Sequence, residues 1–206
     1  GMAFVLIQHL DPQHVSHLVE LLGSVSATPV HLAADHDRLR PDHVYVIPPD
    51  AYLGVEGEEL RLSPRGDTAG PFLPVDHFLR TLADSYRERA IAVILSGTGS
   101  DGTLGVQAVK GAGGVAFAQD GSAHFDSMPR AAEASGCVDF VLAPHDIAET
   151  LERIARHPHL LRQGMGEPGA ADQQEAAALD ELFELLAAGG QVDFADYKRS
   201  TVLRRI

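Results

Sequence analysis

A chain of 206 residues, 45% of them hydrophobic, is long enough for one α/β domain with a sizeable core and a tail. Its formal net charge of −13 argues against a general binder of nucleic acid or anionic membranes, because such a domain repels phosphates. The single cysteine, Cys137, excludes an internal disulfide and a multi-cysteine metal site, and it fits a reducing, cytoplasmic compartment. No apolar run approaches the roughly 20 residues that span a bilayer, so we predict no membrane insertion.

Apolar runs alternate with helically spaced segments over the first 161 residues, which predicts strands joined by polar loops and amphipathic helices. The predicted elements are a strand at Ala3 to Gln8, a helix at Ser16 to Gly23, strands at Pro29 to Ala33 and Val44 to Ile47, a hairpin of Tyr52 to Val55 and Glu59 to Ser63, a helix at Val75 to Arg87, a strand at Ala90 to Leu95, a helix at Gly102 to Lys110, a strand at Gly114 to Gln119, a helix at Arg130 to Ser135, a strand at Asp139 to Ala143 and a helix at Asp146 to Arg156. We place Met128 and Pro129 in the loop before the fourth helix, and Asp146 as the cap of the last helix. This alternation predicts an α/β fold, a doubly wound and mainly parallel sheet with helices on both faces and an edge hairpin.

The composition changes after residue 161. Residues 162–172 contain Gly, Ala and Pro and predict a linker, whereas residues 173–206 have helical spacing and end in a run of basic residues. The chain also starts inside a strand and stops inside a helical pattern. We therefore predict a domain at 1–161, a linker at 162–172 and a helical module at 173–206, together forming a fragment of a longer protein.

The turn that follows the strand at Ala90 to Leu95 carries Asp101, and the first strand is followed by His9. Because the carboxyl ends of parallel strands share one edge of a sheet, these two side chains can meet there. A carboxylate on one imidazole nitrogen fixes the tautomer and leaves the other nitrogen free to take a proton from a nucleophile. The pair therefore indicates a hydrolytic site, although Asp101 alone also suits a helix cap and His9 alone a solvated loop histidine.

Two other interpretations stay open. Gly97-x-Gly99-x-x-Gly102 after a strand, with Asp120 after the next strand, matches a dinucleotide-binding fingerprint, but Asp101 would repel the pyrophosphate at the helix amino end. A cluster of possible metal ligands comprises His9, Asp11, His14 and His17, without a second cluster at recognisable ligand spacing. We predict no cofactor and no metal.

Four motifs, in this order, closely resemble the catalytic domain of the chemotaxis receptor methylesterases, the CheB family. They are Phe4-Val5-Leu6-Ile7-Gln8-His9-Leu10-Asp11-Pro12, Val44-Tyr45-Val46-Ile47-Pro48-Pro49, Ile94-Leu95-Ser96-Gly97-Thr98-Gly99-Ser100-Asp101-Gly102, and Gln119-Asp120 with Met128-Pro129-Arg130. The segment from Phe194 to Ile206 resembles the opening of the receptor methyltransferases, the CheR family. The whole chain thus looks like part of a methylesterase–methyltransferase fusion.

The resemblance implies a protein-glutamate methylesterase, also a glutamine deamidase, that acts with a Ser-His-Asp triad on γ-glutamyl methyl esters of chemoreceptors. It implies that His9 is the general base and Asp101 the acid that orients it. Thr98 and Gly99 would lie in the turn beside the oxyanion, to which Thr98 would offer its backbone N–H, and Met128 would lie in the adjoining loop. The implied partners are methylated chemoreceptor-like proteins, not nucleic acid, and no oligomeric state is implied.

The family's nucleophilic serine lies in a Gly-Ala-Ser-Thr/Ala-Gly-Gly turn, and this sequence contains no such turn. Ser96 and Ser100 are not substitutes, because both belong to the turn of the aspartate. The resemblance therefore implies that this chain has the base and its orienting acid without the nucleophile. We expect little or no activity from the chain by itself, since loss of one triad member removes nearly all covalent catalysis.

Overall fold

The computed structural model describes residues 1–10, 16–66 and 71–157. The elements within them are β1 (Ala3–Leu6), α1 (Leu18–Val25), β2 (Val30–Leu32), β3 (His43–Val46), β4 (Ala51–Glu56), β5 (Glu59–Pro64), α2 (Pro74–Tyr86), β6 (Ile91–Ile94), α3 (Thr103–Gly111), β7 (Val115–Gln119), α4 (Ser127–Ala134), β8 (Phe140–Leu142) and α5 (Pro144–Arg156). A 3-10 turn at Arg87–Arg89 joins α2 to β6. The predicted linker at 162–172 and the predicted module at 173–206 lie outside the described residues.

The parallel strands form two sheets of three strands, in the orders β1-β3-β2 and β6-β7-β8. Val5 lies beside Tyr45 in the first sheet, and Val93 lies beside Phe117 in the second. An α/β fold with parallel sheets flanked by helices is therefore confirmed. The strands do not form the one continuous sheet that the sequence suggested, because no ladder joins β1 to β6 within the described part of the chain.

One apolar core lies beneath both sheets. Its buried members come from strands of each sheet, from the hairpin and from α2 and α3; among them are Tyr45, Leu53, Phe78, Ile94 and Val106. Burial of a side chain of this size contributes roughly 1.5–3 kcal/mol. The shared core therefore fixes the first sheet relative to the second although their strands do not pair.

The hairpin of β4 and β5 is a separate antiparallel sheet, and α2 covers its edge on the β4 side. The backbone N–H of Val55 donates to the Thr81 hydroxyl at 3.0 Å, and the Ser85 hydroxyl donates to the Val55 carbonyl at 2.9 Å. Two helix side chains thus satisfy backbone groups that an edge strand would otherwise leave unpaired. The predicted edge hairpin exists, but a helix and not a parallel strand borders it.

The predicted bounds lie within two residues of the observed ones except at the start of α4, and the predicted cap of α5 was also wrong. Met128 and Pro129 lie in the first turn of α4 instead of a loop. Proline suits that turn because the amide hydrogen it lacks has no partner inside the helix. For the same reason α5 begins at Pro144, with Ala143 as its N-cap, and Asp146 lies in the first turn instead of capping it. Among the described residues, no helix has the length and apolar character needed to cross a membrane.

Candidate active site

His9 and Asp101 meet in the space between the carboxyl ends of β1 and β6. The His9 Nε2 atom lies 2.9 Å from the Asp101 Oδ2 atom. Asp101 is buried, with 4% of its side chain exposed, whereas the His9 side chain is 49% exposed. This hydrogen bond places the proton of a neutral ring on Nε2 and leaves Nδ1 as the acceptor. The ring is therefore held by a buried carboxylate and accessible to a reacting group.

The carboxylate of Asp101 is fixed by the amino end of α2. The backbone N–H of Val75 donates to Oδ2 at 3.0 Å, and the backbone N–H of Asp76 donates to Oδ1 at 2.9 Å. These groups are unsatisfied within α2 itself, whose N-cap residue, Leu73, offers no side-chain acceptor. The positive end of the helix dipole also favours a negative charge at this position. Asp101 is thus a helix cap and a histidine partner at once.

An aromatic cluster lies beside the exposed imidazole. The ring of Phe72 meets that of His9 edge-on, with 5.8 Å between centroids and 88° between planes. Phe72 also packs on Tyr52 at 4.8 Å, and the guanidinium of Arg65 lies 4.7 Å from its centroid. Phe72 therefore limits the tilt of the His9 ring on one side and presents an apolar surface with a cation above it.

The turn that leads to Asp101 is held by α4 and the loop before it. Gly97 donates its N–H to the Phe125 carbonyl at 2.9 Å, and Gly99 donates to the Ser127 hydroxyl at 3.1 Å. The Thr98 backbone N–H lies between them and donates to no described residue. Thr98 is thus an exposed residue of the turn whose backbone N–H has no acceptor among the described residues.

Met128 packs directly against this turn. Its backbone N–H donates to the Gly97 carbonyl at 3.1 Å, and a Cβ added to Gly97 would lie 2.5 Å from the Met128 methyl carbon. No hydrogen bond or ring contact joins Met128, Thr98 or Gly99 to His9 in the part of the chain that the structure describes. The structure therefore brings the predicted residues together as two groups, the His9–Asp101 pair and the turn with Met128.

The two serines of the turn have structural hydrogen bonds. The Ser96 hydroxyl accepts from the Phe125 backbone N–H at 2.9 Å, and the Ser96 N–H donates to the Gln119 side chain at 2.8 Å. The Ser100 carbonyl accepts from Thr103 at the start of α3. Neither serine hydroxyl is hydrogen-bonded to His9 among the described residues, and the expectation that neither replaces the family's nucleophile stays a prediction.

Gly102 joins Asp101 to α3 and requires the absence of a side chain. Its φ is +94°, a left-handed conformation that glycine adopts readily. An added Cβ would lie 2.8 Å from Ile94 and 2.9 Å from Val75. Glycine at this position therefore lets the backbone turn at Asp101 while α2 packs close against it.

The nucleotide interpretation is not favoured by this geometry. The Asp76 carboxylate accepts from the Gly105 N–H at 2.7 Å, so an acidic side chain already occupies the amino end of α3. Asp120, the expected ribose ligand, accepts instead from the hydroxyl and the N–H of Ser122, and these bonds lower its pKa. The amino end of α3, where a pyrophosphate would bind, and Asp120, which would bind the ribose, therefore both have protein partners instead.

The histidine cluster that could have held a metal is described only in part. His17 lies before α1 and is hydrogen-bonded to Glu20 at 2.9 Å, whereas Asp11 and His14 lie outside the described residues. Within residues 1–10, 16–66 and 71–157, no group of three or more His, Cys, Asp or Glu side chains is arranged to hold a metal ion.

Sequence reasoning missed Val75, Asp76 and Phe72. One signal for the first two was available, because Leu73-Pro74 begins α2 with no Ser, Thr, Asp or Asn at the N-cap. Such a helix needs an acceptor from elsewhere in the fold. Nothing in the sequence pattern indicated that Asp101 supplies it, or that Phe72 contacts His9.

A comparison with protein families matches residues 1–151 to the family described as CheB methylesterase. The chain belongs to this family. The resemblance to CheB catalytic domains is thereby confirmed over residues 1–151, whereas the predicted domain end at residue 161 and the resemblance of the tail to CheR proteins stay predictions.

Relatives and a solved structure agree with the family match. The chain is 35% identical to a protein-glutamate methylesterase/protein-glutamine glutaminase of Rhizobium meliloti, over 74% of this chain and 44% of that protein. It is 39% identical to an uncharacterised 104.1 kDa protein of Rhodobacter capsulatus, over 92% of this chain and 22% of that protein. The crystal structure of the Thermotoga maritima CheB methylesterase catalytic domain is similar with a TM-score of 0.67 and 33% identity, covering 73% of this chain and 82% of that one. The chain thus spans less than half the length of these two relatives.

Proposed function

We propose that this chain carries the His-Asp half of a protein-glutamate methylesterase site. The substrates would be γ-glutamyl methyl esters, and glutamine amides, on methylated chemoreceptor-like proteins. The observation that carries the proposal is the 2.9 Å bond between His9 and an Asp101 carboxylate that two backbone N–H groups hold in place. Membership of the CheB methylesterase family and the names of the relatives support the choice of substrate class.

In this proposal His9 is the general base and Asp101 orients it. The Nδ1 atom, which has no hydrogen-bond partner among the described residues, takes the proton of a serine hydroxyl as its oxygen attacks the ester carbonyl, and Asp101 stabilises the resulting imidazolium. His9 then returns that proton to the leaving methanol, and a water activated in the same way releases the glutamate carboxylate. Burial of Asp101 strengthens its interaction with the charged ring, because the surrounding dielectric is low.

Thr98 would supply an oxyanion donor. Its backbone N–H has no acceptor among the described residues, while Gly97 and Gly99 on either side are hydrogen-bonded. A pre-positioned donor of this kind contributes roughly 3–4 kcal/mol to transition-state stabilisation. In our proposal Met128 and the Ser127 hydroxyl keep the turn in this conformation.

The serine itself would come from a segment that is not among these 206 residues. The family's Gly-Ala-Ser-Thr/Ala-Gly-Gly turn is absent from the sequence, the Ser96 hydroxyl accepts from the Phe125 N–H, and neither Ser96 nor Ser100 is hydrogen-bonded to His9 in the described part of the chain. Among the described residues, β1 and β6 each lie at the edge of a sheet, and His9 and Asp101 follow these two strands, which supports this part of the proposal. By itself the chain would then have little or no esterase activity.

The test is methanol release from methylated receptor by the 206-residue chain and by the same chain extended upstream through its esterase domain. We expect turnover only from the extended protein, and its loss in His9→Ala. His145→Ala is the matched control, because His145 lies on α5 and pairs with Glu149, away from the site. Robust hydrolysis by the 206-residue chain would contradict the proposal that its nucleophile is missing. An active His9→Ala variant would contradict the role of His9 as the general base. Inactivity of both the 206-residue chain and the extended protein would contradict the esterase activity itself.

We further propose that residues 173–206 begin a CheR-type methyltransferase module. The match to the Rhodobacter capsulatus protein covers 92% of this chain, whereas the esterase family match ends at residue 151. That relative is also much longer than this chain. Sequencing the gene beyond the codon for Ile206 tests the proposal, which predicts an in-frame methyltransferase domain; a stop codon there contradicts it.

A further inference from the structure

Asp76 is a buried carboxylate that the mechanism above does not use. Its side chain lies in the first turn of α2, and the residue is 5% exposed. Among the described residues it pairs with no lysine, arginine or histidine; its Oδ1 atom accepts instead from the Gly105 backbone N–H at 2.7 Å. Burial of a carboxylate is costly unless dipoles compensate it, and here the compensation comes from the amino end of α3.

Asp76 and Asp101 form a reciprocal arrangement between two helices. Asp101 directly precedes the N-cap of α3 and binds two N–H groups of α2, while Asp76 belongs to α2 and binds an N–H group of α3. A sliding movement of α3 along α2 would move Asp101 with α3 and its two donors with α2. The bond from Asp76 to Gly105 opposes that movement from the other helix.

The packing between the helices makes their relative position sensitive to this bond. A Cβ added to Gly105 would lie 2.5 Å from the Leu79 Cβ, so the backbone of α3 already touches α2. His9, in contrast, belongs to neither helix and reaches Asp101 from the loop after β1. The distance from His9 to Asp101 therefore depends on the register of α3 against α2.

We propose that Asp76 is a positioning residue for the hydrolytic site, because its bond to Gly105 sets the register that brings Asp101 to His9. This inference rests on the proposed function. Asp76 does not touch the imidazole and acts only through Asp101. A displacement of about 1 Å in a catalytic group can cost on the order of 100-fold in rate, which gives the bond its functional weight.

The first experiment uses the 206-residue chain and needs no activity. Long-range ¹H–¹⁵N correlation spectra at about pH 8.5, well above the ordinary histidine pKa, report which ring nitrogen of His9 carries the proton. We expect a single Nε2–H form in the parent chain and in Asp76→Asn, which retains an oxygen acceptor for Gly105. We expect a mixture of tautomers in Asp76→Ala. Thr81→Val, which removes a hydrogen bond between α2 and β4, should leave the parent spectrum unchanged.

The second experiment measures ester hydrolysis by the extended protein. Asp76→Ala should lower kcat by about 100-fold with KM within about twofold, because substrate contacts persist while the base is misplaced. Asp76→Asn should retain kcat within about threefold, a rescue that general loss of packing would not produce. If Asp76→Ala does not fold, Asp76→Glu makes the comparison, because it keeps the charge and displaces the acceptor.

The two measurements separate this inference from the proposed function. An unchanged His9 tautomer in Asp76→Ala, or a mixture already present in the parent chain, overturns the positioning role whatever the activity. A kcat of Asp76→Ala equal to that of the parent protein also overturns the positioning role. If the extended parent releases no methanol, the esterase proposal fails, and the tautomer comparison still decides whether Asp76 positions Asp101.

Discussion

Asp76 and Asp101 cap each other's helices: Asp101 caps α2, which contains Asp76, and Asp76 caps α3, which follows Asp101. Asp101 accepts two N–H groups from α2, and Asp76 accepts one from α3, so two buried carboxylates are compensated by two helix amino ends. No side chain of either helix's own N-cap residue contributes. The same contacts that stabilise the pair of helices therefore orient the acid that binds His9.

The first prediction concerns Asp101 and stability. Asp101→Asn replaces one acceptor oxygen by an NH₂ group, which would face the N–H of Val75 or Asp76 and leave it unsatisfied. Because these groups are buried, we expect the free energy of unfolding to fall by about 1–3 kcal/mol, measured by urea denaturation of the 206-residue chain.

Asp126→Asn is the control for that substitution. Asp126 is 49% exposed and pairs with Arg130 on the surface of α4. The same chemical change should alter stability there by no more than about 0.5 kcal/mol. Equal losses in both variants would show that the buried bonds of Asp101 contribute nothing particular.

The sequence predicted that His9 meets Asp101, because each residue follows a parallel strand; the two meet although their strands belong to different sheets. The capping of α2 by Asp101 was not predicted, since Val75 lies 26 residues before Asp101 and only tertiary packing brings it there. The sequence also placed Met128 and Pro129 in a loop, because a proline in a polar stretch suggests a turn; both residues lie in the first turn of α4. The division into two sheets depends on pairing between distant strands, which hydrophobic patterns do not specify. The catalytic roles of His9, Asp101, Thr98, Gly99 and Met128 stay predictions.

The second prediction compares the same substitution at two threonines. Thr81→Val removes the acceptor of the Val55 backbone N–H, which lies at the covered edge of β4. The hydroxyl of Thr103 is buried and has no hydrogen-bond partner among the described residues. We expect Thr81→Val to lower the free energy of unfolding by about 1–3 kcal/mol, and Thr103→Val to raise it by about 1 kcal/mol.

Chemical denaturation of the two variants measures this difference in sign. Both substitutions preserve side-chain shape and β-branching, so helix propensity contributes little to the comparison. A loss of stability in both variants would mean that the Thr103 hydroxyl does find a partner in solution. A gain in both would mean that the bond between α2 and the hairpin is dispensable.

The third prediction concerns pH and His77, a residue of α2 that packs against Tyr52 of β4. Burial lowers the pKa of His77, and the charge of Arg80 lowers it further. The unfolded chain therefore binds more protons at this residue than the folded chain. The corresponding stability is fully present above about pH 6.5, the ordinary histidine value, and is lost as the pH falls below it.

His77→Gln should remove this part of the pH dependence. We expect the parent chain to lose stability relative to the variant between about pH 7.5 and about pH 5.5, in urea titrations at matched ionic strength. Arg80→Gln removes only the second cause, so it should weaken the pH dependence and not abolish it. A constant difference between parent and His77→Gln over this range would contradict the shift in pKa.

The fourth prediction compares two glycines of α3, one packed against α2 and one with open space beside it. A helical glycine replaced by alanine ordinarily gains stability, by up to about 1 kcal/mol, because alanine has the better helix propensity. Gly111, in the last turn, has no atom within 4 Å of an added Cβ, whereas at Gly105 an added Cβ would lie 2.5 Å from Leu79. Gly111→Ala should therefore raise the free energy of unfolding by roughly 0.5–1 kcal/mol, and Gly105→Ala should lower it by about 1–3 kcal/mol through overpacking.

Urea denaturation of both glycine variants measures these two changes. Stabilisation by Gly105→Ala would mean that α2 and α3 are not in contact at this point, and the reciprocal capping of Asp76 and Asp101 would lose its basis.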